Sequence, residues 1–113
     1  MSGYFDVRAL LEEYGDDMLV RELAQLLVEN LPSQIEAIQS AVAAGDGPAL
    51  RAAAHRLRGS LVPFGMAAAV EMARELESIG VSGALAGAQA LSERLEQEVQ
   101  LLRDGASAWL AGA

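Results

Sequence analysis

The sequence of 113 residues contains no cysteine and only one histidine, His55. The lack of cysteine excludes disulfides, thiolate metal sites and cysteine nucleophiles, and it fits the reducing environment of the cytoplasm. A single histidine excludes metal sites that take several imidazoles from one chain. Any imidazole chemistry in this chain therefore depends on His55.

Basic residues are also few: there are eight, all of them arginine, against sixteen acidic residues, which gives a formal net charge of −8. A chain of this charge is repelled by a phosphate backbone and by an anionic lipid surface, so we expect neither nucleic acid nor membrane as a partner. Residues 1–6 lack a basic segment followed by an apolar one, and charges soon interrupt every longer apolar run. We therefore predict no signal peptide and no membrane span, and a cytoplasmic protein or a soluble part of a longer chain.

Aromatic residues make up 4% of the chain and β-branched residues are sparse, whereas alanine, leucine, glutamate and glutamine are abundant. This composition favours an all-α fold. Apolar residues at three- and four-residue spacings predict five helices, the first three of them capped by Asp6, Asp16 and Asp46. The predicted helices, caps included, cover about 6–14, 16–44, 46–62, 66–79 and 84–103. Short connections favour antiparallel neighbours, so we predict an up-down antiparallel four-helix bundle with a short additional N-terminal helix.

Prolines and glycines set several of these boundaries. Pro32 is expected to bend the second helix or to divide it in two. The segment from Gly80 to Gly83 is expected to end the fourth helix. We assign residues 1–103 to the bundle and residues 104–113 to a loose C-terminal tail. Trp109 in that tail is expected to dock on the bundle, because leaving so much apolar area in water is unfavourable.

The third predicted helix places His55 on its outer face. At about 100° per residue, Leu57 and Leu61 lie on the far side of the helix from His55 and must face the core. His55 therefore faces water, where a ring nitrogen stays available as a nucleophile.

Three arginines, Arg51, Arg56 and Arg58, lie close to His55 on the same helix. Arg51 and Arg58 share its face and could clamp an anion bound there. Gly59 costs the helix about 1 kcal/mol relative to alanine and leaves the surface beside the imidazole open to another molecule. The same residues also fit a surface histidine on a solvated helix face, and periodicity alone leaves both interpretations open.

Residues 54–60 read Ala-His-Arg-Leu-Arg-Gly-Ser and are followed by Phe64-Gly65-Met66, Val70 and Leu76-Glu77. This stretch resembles the signature of histidine-containing phosphotransfer (HPt) domains, which reads Ala-His-x-Leu-Lys-Gly-Ser, a few residues, then Gly and an amphipathic helix ending in Leu-Glu. The resemblance covers most of the chain, including Asp46 and Pro32. It implies a four-helix bundle that exposes a phospho-accepting histidine, in agreement with the placement of His55.

Carried over by position, the resemblance implies roles for individual residues. His55 would be the phosphoryl acceptor, Arg58 the counterpart of the family's lysine, and Gly59 the clearance for a partner. Glu77 would accept a hydrogen bond from the imidazole and fix its tautomer, and Val62 would belong to an apolar docking surface. Arginine at position 58 keeps the charge of lysine but changes the geometry of the donor group.

The implied function is that of a phosphotransfer protein in a multistep two-component phosphorelay, which accepts a phosphoryl group from a receiver-domain aspartate and passes it to another receiver. Such a protein has no ATP site or kinase activity of its own, and the sequence shows no nucleotide-binding loop. We expect no cofactor and no metal site, with Mg²⁺ held by the partner receiver. The expected partners are response-regulator receiver domains and a hybrid sensor kinase, which a monomer contacts through Arg51, Gly59 and Val62.

Other functions are less compatible with the residues around His55. A dimeric sensor kinase also phosphorylates an exposed histidine, but its helix usually places an acidic residue directly after the histidine, where this chain has Arg56. A di-metal carboxylate bundle needs two Glu-x-x-His motifs, and here Ala52 stands three residues before the single histidine. The alternative that stays open is a non-catalytic helical interaction module that binds receiver domains without phosphotransfer, for which Arg58 is the only hint.

Overall fold

The computed structural model describes residues 5–112. They form five α-helices and one short 3-10 turn: α1 (Val7–Tyr14), α2 (Asp17–Ala44), α3 (Gly47–Leu61), the 3-10 turn Val62–Phe64, α4 (Ala67–Ser82) and α5 (Ala88–Gly112). No strand occurs in this part of the chain, and the all-α prediction is confirmed. No helix within residues 5–112 is long and apolar enough to span a bilayer.

The first three helices begin where the sequence predicts. The carboxylates of Asp6, Asp16 and Asp46 accept hydrogen bonds from backbone N–H groups of the first turns, at 2.9–3.1 Å. These groups have no partner within their own helix, so each cap stabilises its helix by about 1 kcal/mol. α1 and α2 then end at Gly15 and Gly45, both in the left-handed conformation that glycine adopts without strain.

The four longer helices form a ring in which each helix packs against two others. α2 packs against α3 and α5, α4 packs against the same two helices, and α1 packs against α2. Between them lies one apolar core, whose largest fully buried side chains are Val20, Leu31, Ile38, Leu50, Leu57, Leu61, Leu76, Leu95, Val99 and Leu102. Burial of each such side chain stabilises the fold by about 1.5–3 kcal/mol relative to exposure.

α2 runs unbroken past Pro32, so of the two expected effects of this proline, a bend or a division of the helix, the division is wrong. Proline has no N–H to donate to the carbonyl four residues earlier, which is that of Val28. Arg103 on α5 supplies the missing donor, with its Nε 3.1 Å from the Val28 oxygen. A tertiary contact therefore replaces the helical hydrogen bond that Pro32 removes.

α4 ends within the predicted segment from Gly80 to Gly83, but later than the predicted boundary at residue 79. It passes through Gly80 and ends only at Gly83, which is left-handed. Gly80 is buried, and a Cβ atom added to it would lie 2.7 Å from the backbone nitrogen of Arg51 and 2.7 Å from the backbone oxygen of Gly47. Gly80 thus permits a close approach of α3 and α4 and does not terminate the helix.

α5 differs from its prediction at both ends. It starts at Ala88 instead of 84, and it continues through the predicted boundary at Arg103 to Gly112. The prediction of a loose tail over residues 104–113 is therefore wrong for residues 104–112, and residue 113 lies outside the described part of the chain. Gly105 does not end the helix, because Ala106 in the next position is fully buried and continues the core-facing stripe.

Trp109 docks on the bundle, as predicted. Its ring centroid lies 5.6 Å from that of Phe5, and Phe5 in turn lies 6.1 Å from Phe64 in the 3-10 turn. The guanidinium of Arg21 lies over the Trp109 ring at 4.8 Å, within the range of a cation–π contact. The last turns of α5 are thus held by aromatic contacts to the start of the chain.

Candidate functional site

His55 lies in the second half of α3 with its side chain 70% exposed. Leu57 and Leu61 on the same helix are fully buried. The outward orientation that helical periodicity predicts for His55 is confirmed. An imidazole placed in this way is open to a reaction partner.

Glu77 reaches His55 from the neighbouring helix α4. Its Oε1 lies 3.0 Å from Nδ1 of His55, and the glutamate side chain is only 16% exposed. The close approach of α3 and α4 at Gly80 lies about one turn along α4 from Glu77. When Nδ1 carries the ring proton it donates to Glu77, and Nε2 then keeps its lone pair.

Arg58 completes the cluster from α3. Its Nε donates to Oε2 of Glu77, and its Nη2 lies 3.4 Å from Oε1 of the same carboxylate. Nη2 also lies 3.1 Å from Nδ1 of His55, to which it donates only when Nδ1 is unprotonated. Arg58 and His55 therefore share one carboxylate, and Nε2 has no hydrogen bond to any residue of the described chain.

The pKa values of this cluster follow from its contacts. Burial raises the pKa of Glu77, but the hydrogen bonds from Arg58 and His55 and the charge of Arg58 outweigh burial, so the pKa lies below its usual value. The hydrogen bond to Glu77 raises the pKa of Arg58. At neutral pH Glu77 is therefore an ionised acceptor and Arg58 a permanent cation.

The other predicted residues surround this cluster without belonging to it. Gly59 is exposed, and a Cβ atom there would meet no atom within 4 Å, so the surface next to the imidazole is open. Val62 is 56% exposed at the start of the 3-10 turn. Arg51 is exposed and lines a groove between α3 and α4 that Arg58 and Glu77 also line.

Sequence reasoning missed one charged residue of this groove, Arg74 on α4. Arg74 lines the groove together with Arg51 and Arg58. Its Nε lies 3.6 Å from Oε1 of Glu71, in a pair whose side chains are both more than half exposed. No sequence signal singles out Arg74, because it comes near Arg51 and Arg58 only through the packing of α4 on α3.

The sequence matches the family model described as Hpt domain over residues 22–105. The chain belongs to the Hpt domain family. The match covers α3 and α4 in full, and so includes His55, Arg58 and Glu77. The resemblance recognised in the sequence is therefore confirmed, and with it the place of this Hpt domain in a family of phosphotransfer proteins of two-component phosphorelays.

The fold of this Hpt domain is also that of a solved family member. The crystal structure of histidine-containing phosphotransfer protein B (HptB) from Pseudomonas aeruginosa matches with a TM-score of 0.83 at 26% sequence identity, and the match covers 100% of this chain and 99% of that one. No curated protein matches the sequence. The all-helical Hpt fold is thus supported by both the sequence match and the structural match.

Proposed function

We propose that this chain is a histidine phosphotransfer protein of a multistep phosphorelay. His55 accepts a phosphoryl group from the aspartate of one receiver domain and passes it to the aspartate of another. The observation that carries this proposal is the contact between Nδ1 of the exposed imidazole and the half-buried carboxylate of Glu77. It supports a tautomer in which Nε2 is the nucleophile.

In the proposed reaction, the lone pair of Nε2 attacks the phosphorus of the aspartyl phosphate in line with the leaving oxygen. The Nε2–P bond forms while the P–O bond breaks, and its electron pair returns to the aspartate carboxylate. The ring becomes more positive as the bond forms, and the proton on Nδ1 stays in its hydrogen bond to Glu77, whose negative charge stabilises that ring. Transfer to the second receiver reverses these steps.

Arg58 acts in this scheme through Glu77. Its two donors hold both carboxylate oxygens, which fixes the direction from which Glu77 meets the imidazole. Arg58 also offsets the negative charge that Glu77 would otherwise present to an incoming phosphoryl group. The Mg²⁺ ion expected in the reaction is held by the partner receiver, which supplies most of the electrostatic stabilisation of the transferred group.

The proposal extends to the setting of the protein. The pairwise contacts of α2 to α5 support an up-down antiparallel four-helix bundle with α1 added to it. We infer a monomer, because the face around His55 must stay open to receivers. We also infer that the protein is cytoplasmic. Its partners are receiver domains, including that of a hybrid sensor kinase, and it carries no cofactor, ATP site or kinase activity of its own.

Transfer of label from a receiver domain tests this proposal. A receiver carrying ³²P on its aspartate is mixed with the wild-type chain, with His55→Ala and with Arg94→Ala, an exposed arginine on α5 that serves as control. We expect acid-labile label on the wild type and on Arg94→Ala, and none on His55→Ala. Equal labelling of His55→Ala, or receiver binding without any labelling of the wild type, would contradict phosphotransfer. The second result would instead favour the non-catalytic interaction module.

A further inference from the structure

A basic groove runs between α3 and α4 beside His55. Its volume is about 380 Å³, and its lining residues are Arg51, Arg58, Arg74, Glu77, Ser78, Val81 and Ser82. Glu77 and Arg58 belong both to this groove and to the cluster around the imidazole. The groove therefore opens next to the proposed phosphoryl acceptor.

The groove concentrates positive charge on a chain whose formal net charge is −8. Three of the eight arginines line it, against a single carboxylate, that of Glu77. Arg58 is engaged by that carboxylate through both Nε and Nη2. Two arginines thus remain to give the groove its net positive charge.

Those two arginines are available to a ligand. Arg51 forms no salt bridge with any residue from 5 to 112. Arg74 has only the 3.6 Å contact to Glu71, an exposed pair of the kind that contributes little to stability. An arginine held so loosely exchanges its partner for an external carboxylate at small cost.

We propose that Arg51 and Arg74 bind acidic side chains of the receiver domain that exchanges its phosphoryl group with His55. This inference rests on the proposed function. A receiver that holds Mg²⁺ beside its aspartate binds the ion through one or two carboxylates in addition to water and phosphate oxygens, so acidic side chains lie next to the reacting phosphoryl group. When that phosphoryl group meets Nε2 of His55, these acidic side chains of the receiver lie over the groove. Arg51 and Arg74 then set the affinity and the choice of receiver, while Arg58 stays with Glu77.

The test measures receiver binding separately from transfer. Variants Arg51→Ala, Arg74→Ala and Arg51→Glu/Arg74→Glu are made in a His55→Ala background, so that no phosphoryl group moves during the titration. The probe is the receiver domain used in the labelling experiment, titrated by calorimetry at low and at high salt. We expect each alanine variant to weaken binding by about two- to fivefold at low salt, and the double glutamate variant by more than about tenfold. High salt should remove most of the difference.

Arg94→Ala is the matched control, since Arg94 is exposed on α5 and forms no salt bridge with the described residues. Its affinity should equal that of the parent. Unchanged binding in the groove variants, or an equal loss in Arg94→Ala, would overturn the groove proposal and leave the proposed function standing. Groove-dependent binding to a receiver that never labels wild-type His55 would overturn the proposed function and leave the groove proposal standing.

Discussion

Glu77 on α4 holds the imidazole of His55 on α3 through a 3.0 Å contact between its Oε1 and Nδ1 of the ring. The contact joins a side chain that is 16% exposed to one that is 70% exposed, so a fixed carboxylate orients a ring that otherwise turns freely in water. Orientation of this kind matters because a small misplacement of a nucleophile is costly in rate. The two residues stand 22 positions apart in the sequence, and only the packing of α3 on α4 brings them together.

Replacing Glu77 should slow transfer without abolishing it. Glu77→Ala removes the acceptor for Nδ1, and we expect the transfer rate to fall by roughly ten- to a hundredfold. Glu77→Gln keeps an oxygen acceptor and the side-chain size, so its loss should be smaller. Rapid-quench transfer assays give the rates, and the ¹⁵N shifts of the imidazole report the tautomer. Wild-type rates in Glu77→Ala would remove Glu77 from the mechanism.

Arg58→Ala should slow transfer while the fold stays intact, because Arg58 is partly exposed and contributes two donors to the Glu77 carboxylate. Arg58→Lys restores the charge but not the paired donors, so its rate should lie between those of the alanine variant and the wild type. Circular dichroism checks the fold of each variant. An unchanged rate in Arg58→Ala would exclude Arg58 from the reaction.

The stability of the fold should depend on pH through Glu77. The pKa of Glu77 is lowered in the folded protein, so its ionised form stabilises the fold above the ordinary glutamate value of about 4.3. This contribution is lost as the pH falls through the folded-state pKa. The difference in unfolding free energy between wild type and Glu77→Gln should therefore stay constant near neutral pH and shrink in acid. Urea denaturation across a pH series measures it, and a difference that is the same at every pH would contradict the prediction.

Substitution by alanine at Gly80 and at Gly59 should change the free energy of unfolding in opposite directions. Gly80→Ala forces a Cβ atom to within 2.7 Å of the α3 backbone, so we expect a loss of about 1–3 kcal/mol in the free energy of unfolding. Gly59→Ala meets no atom within 4 Å and should stabilise α3 by up to about 1 kcal/mol. Chemical denaturation compares the two variants. If Gly59 also provides clearance for a receiver, Gly59→Ala should bind the receiver more weakly despite its greater stability. Equal stability of wild type and Gly80→Ala would contradict the close approach of α3 and α4.

Local signals in the sequence predicted the beginnings of helices better than their ends. Asp6, Asp16 and Asp46 cap helices as predicted, because a cap depends on a few neighbouring residues. The sequence predicts that α4 ends before Gly80 and that Gly105 belongs to a tail, yet both lie inside helices. α4 continues through Gly80 where α3 packs closely against it, and α5 continues past Gly105 where Ala106 is buried in the core. No local sequence pattern encodes these tertiary contacts.

The functional site, like the helix boundaries, could be predicted only in part from the sequence. Periodicity alone placed His55 outward, since the buried leucines of α3 fix the opposite face. Only the family resemblance indicates Glu77, and no sequence signal indicates Arg74. Both lie on α4, and their distance from His55 depends on the register between two helices, which the sequence of either helix does not specify.

The central claim, that Nε2 of His55 accepts the phosphoryl group, is tested most directly by NMR of the ¹⁵N-histidine-labelled protein. The chain has one histidine, so the spectrum contains the signals of a single imidazole. After addition of a phosphorylated receiver, we expect Nε2 to show a one-bond coupling to ³¹P while Nδ1 keeps its proton. Unchanged imidazole signals while the receiver loses its phosphoryl group to water, or a coupling at Nδ1, would contradict this account.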